Sequence, residues 1–97
     1  MLYLLVHTWK KEDFKVVGRK VIEAMPRLPK GANPVSIFTN ANQTGAWCFY
    51  ETENTEELNK FWEKNVPEMH TTEVIPVMQF FPPGPELYKL IHVLSSM

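Results

Sequence analysis

Two stretches with a helical hydrophobic period, each set between short runs of β-favouring residues, constrain this chain more than any other feature. Residues 11–25 put Phe14, Val17, Gly18, Val21, Ile22 and Met25 on one stripe. Residues 54–69 put Leu58, Phe61, Trp62, Val66 and Met69 on another. Around them, LYLLVHTW (2–9), VSIFTN (35–40), AWCFYE (46–51) and TEVIPVMQFF (72–81) read as strands. The second and third strands form a hairpin across the polar ANQTG turn. Pro26 and Pro29 end the first helix. Asn54, with Glu57 three residues on, predicts a capped start for the second, and Pro67 ends or kinks it. PPGPE then breaks the chain, and Pro85 at a first helical position opens a short helix striped by Leu87, Leu90, Ile91 and Leu94.

The order is therefore β-α-β-β-α-β plus a tail helix. Right-handed crossovers set the first and second strands parallel, with the third between them and the fourth on the other side of the first. Numbered in chain order the sheet reads 4-1-3-2, an α+β, ferredoxin-like arrangement. Pro76 then falls on an edge strand, where a missing N–H is tolerated. A chain of 97 residues supports one core. Residues 1–82 are expected to form the domain. Residues 83–97 form a tail helix packed on the same domain or on a partner.

Alternation puts Leu2, Leu4, Val6 and Thr8 on one face of the first strand and Tyr3, Leu5, His7 and Trp9 on the other. The two helices cover one sheet face. The open face is expected to carry Tyr3, Leu5, His7, Trp47, Phe49, Ile75 and Val77. An aromatic patch of that size needs a second sheet, a ligand or nucleic acid over it.

Composition narrows the partners. A net charge of −1 gives no general attraction to nucleic acid or acidic membranes. The single cysteine, Cys48, excludes an intrachain disulfide and a cysteine-cluster metal site, and its strand context makes it a buried small hydrophobe. The apolar start is too short to span a membrane and lacks the flanks of a secretory leader, so a cytoplasmic protein is expected. The sequon at Asn42 is then a chance match in a polar turn. His7, His70 and His92 show no ligand spacing, and there is neither a phosphate-cradling glycine loop nor a nucleophile elbow.

MLYLLVHTWKKED at the start, YETEN after the third strand and EVIPVM on the fourth resemble a small uncharacterised family within the dimeric α/β-barrel superfamily. The resemblance covers roughly residues 1–80. It implies a homodimer in which two ferredoxin-like subunits pack sheet against sheet, each keeping a small pocket between its sheet and its helices or tail. Members include cofactor-independent and haem-degrading monooxygenases, isomerases, dehydratases and non-catalytic ligand binders. Fold alone does not choose among them.

The expected pocket binds a small apolar or aromatic molecule between Tyr3, Leu5, Phe38, Trp47 and Phe49, with Trp9 as a lid at the strand end. His7, whose free pKa lies near neutrality, is the candidate proton-handling group for cofactor-independent oxygenase or isomerase chemistry. Its alternative role is a hydrogen bond at a strand end. Glu51 and Gln79 fall too far along their strands to pair with it; the Glu73–Ile75 end of the fourth strand should lie opposite. No cofactor is expected. A haem reading compares His7, Trp62 and His70 with the polar residue, tryptophan and histidine ligand of the haem-degrading branch. Against it, His7 replaces an asparagine, the Trp62–His70 spacing is short, and Pro67 interrupts the helix. RNA recognition through Tyr3, Trp47 and Phe49 would need the basic residue and second glycine that TGAWCFYE lacks. The other class of function is a structural or regulatory module whose aromatic face serves only to dimerise.

Overall fold

The computed structural model describes residues 1–96. Strand β1 (Leu2–Thr8) leads through a 3-10 turn at Lys11–Asp13 into α1 (Phe14–Ala24). A second 3-10 turn, Met25–Arg27, precedes β2 (Asn33–Thr39) and β3 (Gly45–Glu51). Then follow α2 (Thr55–Asn65), β4 (His70–Pro76) and α3 (Pro85–Ser95). The sheet runs β2-β3-β1-β4 with every neighbouring pair antiparallel, which is the expected ferredoxin-like order.

Local chemistry accounts for the element ends. The Asn54 side chain accepts the Glu57 amide at 3.0 Å and so caps α2. The Val66 amide closes α2 on the Trp62 carbonyl, one residue before Pro67. Pro85 occupies the first turn of α3 behind Gly84. β4 is shorter than the expected 72–81. It begins at His70 and stops at Pro76, after which one further bond, Val77 N–H to the Leu2 carbonyl at 3.0 Å, ends the pairing. Pro34 sits on edge strand β2 beside a register shift between Pro34 and Ser36, where its missing donor disturbs little.

The register decides which residues share a face, and it corrects the expected assignment. Leu5 pairs with Cys48, Tyr3 with Tyr50 and His7 with Ala46. These residues form the face beneath α1 and α2, where Leu5, His7, Cys48 and Tyr50 are buried with Val17, Leu58 and Trp62. Leu4 pairs with Phe49, Val6 with Trp47, and Trp47 with Phe38, so these line the open face with Ile75. Both faces of β1 are apolar, so alternation alone could not say which one the helices cover.

The turn joining β2 to β3 holds that register. Asn40 accepts the Thr44 amide through its side chain at 2.9 Å and donates to the Thr44 hydroxyl at 3.0 Å. The Asn40 amide bonds the Gly45 carbonyl at 3.0 Å, and Gln43 takes the left-handed conformation with φ 62°. Gly45 lies so close to β1 that a Cβ there would stand 2.8 Å from the His7 carbonyl oxygen. Gly45→Ala is therefore expected to cost about 1–3 kcal/mol through a backbone shift. It should lower the urea midpoint at constant slope. An unchanged midpoint would show that the strands are free to separate there.

Candidate functional site

A cavity of about 200 Å³ lies between α1 and the sheet. Helix α1 contributes Phe14, Val17, Gly18 and Val21 from the stripe read from its periodicity, with Ile22 of the same stripe at the exposed edge. The sheet contributes His7, Ala46, Cys48 and Tyr50, with Ile37 and Thr39 from the edge strand. Trp62, Met69 and Trp9 complete the lining. Ile22 and Ile37 are exposed and mark its solvent side. Gly18 leaves open space beside the cavity, since a Cβ there would meet nothing within 4 Å.

His7 is a polar residue in this lining, only 1% exposed, and the surface it borders is apolar. Its Nδ1 and the Thr71 hydroxyl are 3.0 Å apart, while its Nε2 is buried with no protein partner. The Trp62 indole meets the His7 ring edge-on at 6.4 Å, and its Nε1 is likewise buried without a partner. The Trp62 indole lies close enough to Tyr50 to favour its phenolate, but outside hydrogen-bonding geometry. Trp9 is tied down by its indole N–H donating to the Gln43 carbonyl at 2.8 Å, and it stacks on Phe14 at 6.3 Å.

Burial keeps every titratable group of the cavity uncharged near neutrality. It lowers the His7 imidazole to about 4 and pushes the Cys48 thiol up to about 12. It also raises the Tyr50 phenol, helped by the neighbouring Cys48 and opposed by Trp62. Cys48 is accordingly an inert wall residue.

The register divides the residues that the sequence reading placed in one pocket. Tyr3, Leu5, His7 and Trp9 are on the helix side of the sheet, and His7 and Trp9 line the cavity. Phe38, Trp47 and Phe49 lie on the opposite face and share no cavity with His7. Glu51 pairs with Leu2 at the far end of β1, as expected, whereas the residue opposite His7 is Thr71 and not the Glu73–Ile75 end. His70 pairs with Thr8 at the start of β4, is exposed, and is outside the cavity lining. Among the described residues, no group of three or more His, Cys, Asp or Glu side chains could hold a metal ion. Trp62, Tyr50 and Thr71 were not among the predicted pocket residues. The helical stripe points to Trp62, but Tyr50 and Thr71 follow only from the strand register.

A four-stranded antiparallel sheet with two helices on one face and an uncharged cavity between them defines a small α+β, ferredoxin-like domain. The chain belongs to a family described as a domain of unknown function (DUF3303), whose model matches residues 1–80. No curated protein and no solved structure matches it. Nor is any helix of the described residues long and apolar enough to cross a membrane.

Burial of a neutral His7 makes stability depend on pH in a defined window. In the unfolded chain the imidazole takes a proton near pH 6.5, but in the folded chain only near 4. Between these values the unfolded state binds more protons, so stability is full above pH 6.5 and falls as pH drops toward 4. The slope is about 1.4 kcal/mol per pH unit, or roughly 3 kcal/mol over the window. Urea midpoints measured from pH 7 to 4.5 should fall more steeply for the wild type than for His7→Phe. Parallel curves would show that His7 is solvated in the native state.

Proposed function

We propose that the domain binds a small, uncharged, largely apolar molecule carrying one hydrogen-bonding group, in the cavity beneath α1. The observation that carries this reading is an apolar cavity with two unpartnered ring nitrogens, His7 Nε2 and Trp62 Nε1, buried just behind its surface, where a small shift of the lining side chains would bring a ligand's polar group to them. A buried polar group without a partner costs about 1–3 kcal/mol, which a ligand's acceptor or hydroxyl group recovers. The cavity volume suits a single aromatic ring, since an apolar cavity of about 150 Å³ takes up benzene. Absence of charge in the wall disfavours ionic ligands.

The role of His7 follows from its environment. The Thr71 hydroxyl can donate to Nδ1, leaving Nε2 as an N–H donor, or accept from it, leaving Nε2 as an acceptor. An imidazole held at about 4 is a weak base at neutral pH, so hydrogen bonding is favoured over proton abstraction. The function proposed is thus recognition, and oxygenase or isomerase chemistry is not needed to explain the site.

A second reading concerns the open face, where Val35, Phe38, Trp47 and Ile75 remain exposed. Such a surface supports a homodimer of the α/β-barrel type, with the sheet faces turned toward each other.

Calorimetric titration with phenol and with benzene tests the pocket. Phenol should bind in saturable fashion, about tenfold more tightly than benzene, one hydrogen bond being worth roughly 1.4 kcal/mol. His7→Phe should abolish that preference. Gly18→Leu, which adds bulk at a cavity-lining helix position where a Cβ meets nothing within 4 Å, should remove binding of both, with circular dichroism confirming that the fold is retained. Equal binding of phenol by wild type and Gly18→Leu would rule the cavity out.

A further inference from the structure

The tail helix α3 is unassigned by the pocket. Tyr88, Leu90, Ile91, Val93 and Leu94 are all exposed, and α3 has almost no contact with the strands or the other helices. A tight turn precedes it. The Gly84 amide bonds the Gln79 carbonyl at 2.7 Å, Leu87 is buried, and Pro82, Pro83 and Pro85 stiffen the connection. The helix is therefore directed away from the body. The molecule is 52 Å long with a radius of gyration of 15.3 Å, against about 12–13 Å for a compact chain of this length. An isolated helix of eleven residues is marginal in water, so this one needs a cover.

The same chain exposes a matching surface. Leu2, Val35, Phe38 and Phe49 of the open sheet face, with Val77 and Phe81 of the segment that follows β4, line a groove of about 380 Å³. Resting on the homodimer of the reading above, with the helices rather than the opposite sheet as the cover of each face, we propose that α3 of each copy crosses to the other and lies in this groove. The occupant is a second copy because the areas require both surfaces. With 150–250 Å² for a fully exposed aromatic side chain, the sheet face and α3 each leave on the order of 500 Å² of apolar area exposed. Two sheet faces in mutual contact would bury only about 1,000 Å², the lower limit for a specific interface. Reciprocal docking of both helices buries about 2,000 Å², which is ample. The exchange is isologous, so it closes as a two-fold dimer and leaves no free end for further addition.

Sedimentation of the full chain, with helicity checked by circular dichroism, tests this together with thiol crosslinking. The wild type should sediment as a dimer. Leu94→Glu and Phe38→Asp, both at exposed positions, should each weaken the dimer roughly tenfold or more. In a Cys48→Ala background, an equal mixture of Phe38→Cys and Ile91→Cys chains should give a mixed covalent pair with a short bis-maleimide. A monomeric wild type overturns both the dimer reading and the exchange. A dimer indifferent to Leu94→Glu, with no mixed crosslink, overturns the exchange alone. A crosslink formed within one chain carrying both cysteines would place the helix on its own sheet and likewise overturn it.

Discussion

The close approach of Gly45 to the His7 carbonyl fixes how β3 lies on β1, and the meaning of every side chain in the sheet depends on that contact. Strand side chains alternate with a period of two, so a slip of one residue would exchange the two faces completely. Neither face of this sheet is polar enough to forbid the slip, because Tyr3, Leu5 and His7 are balanced by Leu4, Val6, Trp47 and Phe49. The turn has to supply the specificity that hydropathy does not. It does so through the two side-chain hydrogen bonds of Asn40 and the left-handed Gln43, which close the hairpin at one length only. The Trp9 amide and indole both bond to this same turn, tying the end of β1 to it as well.

Once His7 is committed to the helix side, its chemistry changes character. On an open face it would be a solvated imidazole titrating near neutrality. Under α1 and α2 it is desolvated, and so are Cys48 and Tyr50 beside it. Each of the three is held in its neutral form for the same reason, burial without a compensating charge. An ion in this cavity would meet a desolvation cost with nothing to offset it, because the walls are apolar and uncharged.

Much of the architecture was legible in the residues, and for identifiable reasons. Helical stripes, the Asn54 cap and the prolines at 67, 76 and 85 are local signals, and local signals set element type and order. Right-handed crossover rules then leave one sheet order, and that order is the one observed. The composition of the site was not legible in the same way. His7 and Trp9 were identified as candidates and do line the cavity, but Phe38, Trp47 and Phe49 were grouped with them across the thickness of the sheet. That grouping required knowing which parity of β3 faces inward, and AWCFYE is apolar on both. Trp62 could be placed on the inward stripe of α2, yet its meeting with His7 is a tertiary event between elements more than fifty residues apart in sequence.

Thr71 shows how a small irregularity completes such a site. The pairing of β1 with β4 shifts between Val6 and His7, so that Val6 lies opposite Glu73 but His7 lies opposite Thr71. One extra residue, Thr72, is accommodated on β4, and its hydroxyl turns to the Val6 carbonyl at 3.3 Å. A regular ladder would have set Thr72 against His7 and left Thr71 beyond the pair. The bulge instead brings the Thr71 hydroxyl to Nδ1, which holds the imidazole at one nitrogen and leaves Nε2 as the nitrogen still to be satisfied. A histidine anchored at both nitrogens would be a closed structural element, and one anchored at neither would turn freely. Anchored at one, it keeps a fixed orientation with one unpartnered nitrogen buried behind an apolar wall, which is the feature the binding proposal rests on.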